Sequence, residues 1–493
     1  MTVKPGTLDQ ETKELSPFES LHTLNPQYPR PTIVDFLQIK ENSKLLDYVV
    51  EDAFGSHVFP GNVDDYPIER FLNDMNTQLA EPNPIHLWTY FPLCSKKCNF
   101  CQYPIVAVGS SEQRVNSLSK KWIDALIEEM RLWLEAVPNL RGAPVGEFNF
   151  FGGTPSLIPN HEIERVMDYL YANFNFTKDS TLRIEGNADS FSKESLEFLQ
   201  KMGFNKVSIG IQSFDDEVLK LSNVSHTRAQ AIDFIKMAQD MGFDRVNGDL
   251  IYGMLNQTVA SVEEDIRTVL DLELTSVDWS KLHLKDYKET RTSIAGNHPA
   301  VWQKESWRTN LSGRGYHFPT IGEQYQMREL FSKALTSADY LEHPTMYFSK
   351  KGLGPERWKS IMVDQDKQCI EVAIGLGGSS SCRNSEAHIS VDTKTYFDTI
   401  KAGEIPLDSA KGFSEHGKVI RAIRMALSSC QPLIDSLHQS RFPGSSLFDE
   451  YWLPKFMGLQ ERGLVTIDDE LRKIELTYDG QTIVEAIMHT EIN

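Results

Sequence analysis

Six short, largely apolar runs separated by amphipathic stretches constrain this chain more than any other feature of it. His86–Pro92, Glu147–Gly152, Thr181–Ala188, Lys206–Ser213, Arg245–Gly253 and Ser276–Leu284 read as strands. Between them, Ser117–Glu135, His161–Tyr171, Lys193–Met202, Ala229–Met241 and Ser261–Leu272 repeat apolar residues every three or four positions, the period of a helix. Strands that alternate with helices pair in parallel through right-handed crossovers, so six such units predict an α/β fold built as a partial (β/α)6 barrel.

In parallel architectures ligands gather where the connecting loops open, at the carboxyl ends of the strands. The unusual residues of this chain stand at those ends. Cys94, Cys98 and Cys101, spaced C-x3-C-x2-C, follow the first strand, and Gly152-Gly-Thr-Pro-Ser156 the second. Glu185-Gly-Asn187 follows the third, Gln212-Ser213 the fourth, and Asp249 with Tyr252-Gly253 the fifth. Three thiolates on one tight loop can hold three irons of a four-iron cubane and leave the fourth open, and soft sulfur ligands suit such clusters. Structural zinc is the alternative; it asks for a fourth ligand, and the next cysteine is Cys369.

The 493 residues are 40% hydrophobic and 24% charged, enough for two or three domains around a substantial core. No run approaches the roughly eighteen apolar residues of a membrane span, and MTVKPGTLDQETKELSPFES is polar and acidic, unlike a secretory signal. Cys369, Cys382 and Cys430 are scattered and form no disulfide framework, which fits a reducing compartment, so the cytoplasm is expected. A formal charge of −19 opposes the approach of nucleic acid. Neither nucleic acid nor membrane is an expected partner.

Four regions follow. Residues 1–80, with Asn25-Pro-Gln-Tyr-Pro-Arg-Pro31 and Phe59-Pro-Gly61, read as an extension wrapped over the barrel or ordered by a partner; residues 81–295 are the barrel. Residues 296–410 form a cap and barrel-closing segment, irregular and aromatic over about 300–360. In 411–493, helices at His416–Ser429, Leu447–Arg462 and Tyr478–His489 and a hairpin at Leu464–Leu476 suggest a helix-plus-wing module serving as scaffold or lid.

The order of these motifs resembles the radical S-adenosylmethionine (SAM) superfamily and, within it, the HemN-like group related to oxygen-independent coproporphyrinogen III dehydrogenase. Phe151-Gly-Gly-Thr-Pro-Ser-Leu157, Gly203-Phe-Asn-Lys-Val-Ser-Ile-Gly-Ile-Gln-Ser-Phe-Asp215 and Asp249-Leu-Ile-Tyr-Gly253 followed by Gln257-Thr258 carry the likeness, over roughly residues 84–290 and more loosely 340–490. The resemblance implies a [4Fe-4S] cluster on Cys94, Cys98 and Cys101, with SAM on its open iron. It further implies SAM contacts from Gly152, Gly153, Thr154, Glu185, Gln212 and Asp249, with Trp88 in the place of a SAM-contacting tyrosine. Gly377 and Gly378, in Gly375-Leu-Gly-Gly-Ser-Ser-Ser381, would line a pocket against adenine or substrate, and there is room for a second SAM. Taken singly, each has a structural alternative: a tight turn at Gly152-Gly153, a helix cap at Glu185, a buried amide at Gln212, a strand-end cap at Asp249 and a flexible turn at Gly377-Gly378.

The departures concern substrate. Where that group continues with glycine and a fourth cysteine, this chain reads Gln102-Tyr-Pro-Ile105, and Val224 stands where the group has an arginine; Arg228 or His226 are candidates to replace it. The His-Asn-x-x-Tyr-Trp sequence of the related haem chaperones is absent. Glu342 and His343 are candidate substrate contacts, with a solvated loop as the alternative. The leading expectation is therefore modification of carbon in a small metabolite, by C-methylation or cyclopropanation with a second SAM. Oxidative decarboxylation of a tetrapyrrole propionate is the alternative, and a haem or cluster carrier a third. Lys96-Lys97 could dock a flavodoxin or ferredoxin as electron donor.

Overall fold

The computed structural model describes residues 15–51, 62–63, 65–81, 84–284, 300–353 and 370–493; the Phe59-Pro-Gly61 turn and Cys369 lie outside them. The six expected strands are β1 (Ile85–Phe91), β2 (Pro144–Gly152), β3 (Asn175–Gly186), β4 (Lys206–Gln212), β5 (Arg245–Tyr252) and β6 (Ser276–Lys281). All pair in parallel in that order. The crossover helices are α1 (Glu112–Ala136), α2 (Asn160–Asn173), α3 (Lys193–Lys201), α4 (Arg228–Asp240) and α5 (Val259–Asp271). Reciprocal capping boxes start α3, α4 and α5 at Ser192, Thr227 and Thr258. Each satisfies orphan amides where a strand-end loop hands over to a helix.

Residues 300–353, expected to be irregular, contain α6 (Ile321–Ser337), a 17-residue helix. Its buried side carries Gln324, Gln326, Arg328 and Ser332 among Met327, Phe331 and Leu335, so the apolar period is diluted. The hairpin β7 (Tyr340–Glu342) and β8 (Tyr347–Lys350) then adds to the sheet, with β8 antiparallel to β6. On the other edge β9 (Ile370–Ile374) runs parallel to β1, a seventh parallel strand, followed by antiparallel β10 (Ser379–Ser381), β11 (Ser385–Ile389) and β12 (Leu407–Phe413).

The strands bury two unlike faces. Leu182 and Ile184 of β3, Val207, Ile209 and Ile211 of β4, and Val246 and Leu250 of β5 pack outward in one core with the helices. Alternate residues face the lumen, and these are polar: Glu147, Asn149, Arg183, Lys206, Ser208, Asn247 and Ser276 are each 5% exposed or less. Branched apolar layers fill an ordinary βα barrel. This lumen is instead an ionic and hydrogen-bonded layer.

The C-terminal residues form a second core in which Ile420, Ile423, Phe456, Leu459 and Ile487 pack around a small antiparallel sheet containing the Val465–Asp468 and Lys473–Leu476 hairpin. Leu21, Ile33, Val34, Leu37, Leu45 and Tyr48 belong to that same core. Residues 15–51 therefore help to fill the C-terminal module, while Tyr28 packs on the barrel and donates from its hydroxyl to Glu263 of α5 at 2.8 Å. Among the described residues no helix is long and apolar enough to cross a membrane.

Candidate functional site

The cysteine loop is an excursion closed at its base. Leu93–Cys94 pairs with Val106–Ala107, and Val108 N–H and Gly109 N–H donate to Cys94 and Ser95 carbonyls at 2.8 and 3.0 Å. Its tip is anchored across the barrel mouth: Asn99 donates from its amide N–H to Ser222 O at 2.9 Å and from Nδ2 to Leu221 O at 2.8 Å. Asn223 Nδ2 donates to Lys97 O at 2.8 Å, while Phe100 packs on the buried Trp302. A loop so tied presents its side chains in a fixed arrangement.

Cys94, Cys98 and Cys101 are free, half-buried thiols. Burial pushes Cys94 up to about 11, against a hydrogen bond from Thr154 Oγ1 at 3.4 Å. Burial pushes Cys98 up to about 12, and the negative charges of Cys101 and Cys94 add to it. Burial and the mutual repulsion of the thiolates both hold these groups protonated, and a bound metal would supply the positive charge that favours their ionised form. Among the described residues no three Cys, His, Asp or Glu side chains close on a single ion. Three thiols on one loop fit three irons of a four-iron cluster, and a structural zinc would ask for a fourth ligand, where residues 94–109 offer only Cys94, Cys98 and Cys101.

The glycine turn after β2 is wedged against the root of this loop. Gly153 N–H donates to Phe91 O and Thr154 N–H to Leu93 O, both at 2.7 Å. A Cβ on Gly153 would stand 2.6 Å from Leu93 O, and one on Gly152, whose φ is +122°, 2.8 Å from Phe91 O. Both contacts are with backbone, so no side chain fits.

Strand register carries Glu185, Asp249 and Asp278 onto neighbouring positions around the lumen, with Asp249 opposite Asp278 and Asp278 opposite Tyr347. Arg183 Nη2 donates to Glu185 Oε1 at 2.7 Å. Burial raises the Glu185 and Asp249 carboxyls, and the Arg183 guanidinium opposes it at both. Asp249 also accepts from Ser208 Oγ at 3.0 Å and Asn247 Nδ2 at 2.5 Å. Gln212 ends β4 in the left-handed region at φ +67°, and the next turn is held by Asp265 of α5, which accepts from Ser213 Oγ and Phe214 N–H at 2.8 Å each. Trp88, on β1, meets Phe151 edge to face at 5.5 Å. Gly377 and Gly378 follow β9 on the closing edge, where Gly377 N–H donates to Ser390 O at 2.9 Å.

Residues that sequence reasoning missed share this mouth. Arg183 and Asp278 had the same signal as Asp249, a charged residue alternating with apolar ones near a strand end. Tyr347 arrives on an antiparallel hairpin with no local signal. Tyr103 stacks over Tyr90 at 6.4 Å and is 39% exposed at the mouth. Beneath them Asn149 Oδ1, Asn247 Oδ1, Ser276 Oγ and Ser349 Oγ are buried with no hydrogen-bond partner in the protein. Such acceptors and hydroxyls fit a polar ligand or ordered water.

Four candidates lie elsewhere. Arg228 turns outward, to Phe214 O, Thr268 Oγ1 and Glu264, and His226 is 3% exposed against Ile211 O with burial lowering its basicity; neither stands in for an arginine at Val224. Glu342 is buried in an ion pair with Arg328 and accepts Met346 N–H at 2.9 Å, and His343 lies against Gln431. Both are packing groups at the junction with the C-terminal module.

An open parallel barrel with a three-thiol loop after its first strand and a glycine turn after its second defines a class, the enzymes that cleave SAM with a [4Fe-4S] cluster. The radical SAM superfamily model matches residues 88–269. The chain is 30% identical over 435 residues to an oxygen-independent coproporphyrinogen III oxidase of Helicobacter pylori, covering 84% of this chain and 86% of that protein. It is 28% identical over 209 residues to the heme chaperone HemW of Lactococcus lactis, covering 42% and 51%. The solved coproporphyrinogen III oxidase HemN of Escherichia coli shares the fold at a TM-score of 0.72 and 21% identity, covering 88% of this chain and 96% of that one. The chain therefore belongs to the HemN-like group of the radical SAM superfamily, whose cofactors are the [4Fe-4S] cluster and SAM.

Proposed function

We propose that this radical SAM enzyme oxidises a reduced tetrapyrrole by removing a hydrogen atom from a propionate side chain, with loss of carbon dioxide and passage of the remaining electron to a one-electron acceptor, leaving a vinyl group. The observation that carries this reading is the 30% identity maintained over 86% of the length of a coproporphyrinogen III oxidase. When bound, cluster and SAM supply a one-electron cleavage that lets hydrogen be taken from an unactivated carbon. In this reading Cys94, Cys98 and Cys101 hold the irons, while the turn Gly152-Gly153-Thr154 offers backbone groups to the methionine end of SAM. Glu185, Gln212 and Asp249 accept its hydroxyl and ammonium donors with charge-assisted strength, and Trp88, Gly377 and Gly378 border it. The barrel region 81–295 does the chemistry, and the 411–493 module braces it. A flavodoxin or ferredoxin meeting Lys96 and Lys97 in the cytoplasm supplies the electron.

One-carbon transfer draws no support from the relatives named above. Tyr103, standing where the porphyrinogen enzymes have a fourth thiol, marks this chain's substrate as a variant of theirs. The test is anaerobic incubation of the reconstituted, reduced enzyme with coproporphyrinogen III and methyl-labelled SAM. Carbon dioxide and 5′-deoxyadenosine with an unlabelled product support the proposal. Label in the product with S-adenosylhomocysteine overturns it in favour of transfer, and stoichiometric haem binding without SAM cleavage overturns it in favour of a carrier.

A further inference from the structure

The turn that closes the barrel beside β1 is held from behind by a buried carboxylate. Glu129, on the inner side of α1, is fully buried. Its Oε2 accepts the Gly375 N–H at 2.9 Å and the Tyr396 hydroxyl at 2.7 Å, and its Oε1 accepts Trp133 Nε1–H at 3.3 Å. Tyr396, itself fully buried, comes from the helix Thr393–Lys401, so one side chain ties three elements together.

Gly375 is the first residue after β9 and takes a φ of +104°; a Cβ there would stand 2.7 Å from Tyr90 O. The chain can pass so close to β1 only as glycine, and that geometry leaves the Gly375 N–H pointing away from the sheet with no carbonyl to receive it. Glu129 receives it. Two residues on, Gly377 again has a positive φ, +70°, and Gly378 N–H folds back to Gly375 O at 3.1 Å. The path of Gly377-Gly378 is thus set by where Gly375 is pinned.

We infer that Glu129 is a positioning residue for SAM binding, acting through the Gly375–Gly378 turn rather than by touching the ligand. A carboxyl buried at a helix–sheet seam, where burial raises it to about 7, is an expensive way to join two apolar surfaces, since a hydrophobic pair would bury the same area without desolvating a polar group. What the carboxylate adds is direction: it accepts from one backbone amide at a fixed angle and is itself oriented by two further donors. The inference rests on the reading that Gly377 and Gly378 border SAM.

The experiment compares Glu129→Gln, Tyr396→Phe and Gly377→Val by hydrogen–deuterium exchange of the cluster-free chain and by SAM binding to the reconstituted one. Glu129→Gln leaves one oxygen for three donors, the Gly375 N–H, the Tyr396 hydroxyl and Trp133 Nε1–H. It is expected to speed exchange of the peptide holding Gly375 at least tenfold and to weaken SAM binding about fivefold at unchanged iron content. Tyr396→Phe keeps the Gly375 hydrogen bond, so it is expected to lower the melting temperature while leaving SAM affinity within twofold. If Glu129→Gln binds SAM like the wild type while Gly377→Val does not, or if the two former variants lose affinity in proportion to their melting temperatures, the positioning role is overturned. If Gly377→Val also binds SAM normally, it is the reading of the turn as a SAM border that falls.

Discussion

Asp265→Asn tests the physics of the barrel mouth most sharply, because one buried carboxyl there has a pH signature that an amide lacks. Asp265 is 1% exposed and burial raises its carboxyl to about 7, although Phe214 N–H and Ser213 Oγ donate to it. In the unfolded chain it ionises in the ordinary carboxylate range. Below that range both states hold the proton and the group contributes nothing to pH dependence. As pH rises toward 7 the unfolded chain gives up its proton first, so stability falls, and above 7 the penalty is complete. A rise of about three pKa units corresponds to ~4 kcal/mol. Asparagine keeps an acceptor for Phe214 N–H and cannot ionise. Urea midpoints of the two cluster-free proteins at pH 5 and pH 8 should therefore diverge, the wild type losing on the order of 2–4 kcal/mol relative to the variant at the higher pH. A wild-type-minus-variant difference that is the same at both pH values would refute the assignment of a neutral, buried Asp265.

Cys98→Ser should remove most of the iron and the visible absorption and abolish formation of 5′-deoxyadenosine; cleavage retained at the wild-type rate would discard the triad as the cluster's ligands. Gly153→Ala drives a methyl group to 2.6 Å from Leu93 O at the root of the cysteine loop. It should lower stability by about 1–3 kcal/mol and cut cluster loading, read as iron and sulfide per chain. Glu342→Gln leaves Arg328, 2% exposed, without its anionic partner, a loss of about 3–5 kcal/mol measured by denaturant. Adding Arg328→Met should recover part of it, and failure to do so would show that the ion pair is not what is being measured.

The barrel was legible because its strands and helices carry opposite periods and because its strand ends collect glycines, thiols and carboxylates. Where elements stayed hidden, the reason is physical. The helix Ile321–Ser337 buries Gln324, Gln326 and Arg328, so its inner face does not read as apolar. Gln326 uses that burial to donate to the Asn25, Tyr28 and Pro29 carbonyls, contacts that no local pattern announces. The strand Ile370–Ile374 pairs with Ile85–Phe91 from the far end of the barrel, and only its partner makes it a strand. At the mouth, the residues carried over by motif stand at strand ends, where order along the chain predicts location. Asp278 and Tyr347 meet because an antiparallel hairpin folds back on β6, a pairing set by tertiary packing. The polar lumen was written in Lys206-Val-Ser-Ile-Gly-Ile211 all along, yet alternation alone does not say which side faces helices and which the interior.

The sharing of one core by residues 15–51 and the C-terminal module has a consequence for how the molecule is made. Leu45 and Tyr48 precede the barrel along the chain, and the surfaces they complete, around Ile423 and Ile487, follow it. Until those later elements have been made the leading segment has nowhere to dock, and contacts spanning such separations form slowly. The barrel can assemble in the interval, but the clasp that ties its two flanks together shuts only afterwards. Iron loading in the cell thus meets a protein whose outer frame is either still open or newly fastened, and a chain shortened at its leading edge would leave that frame permanently unfastened.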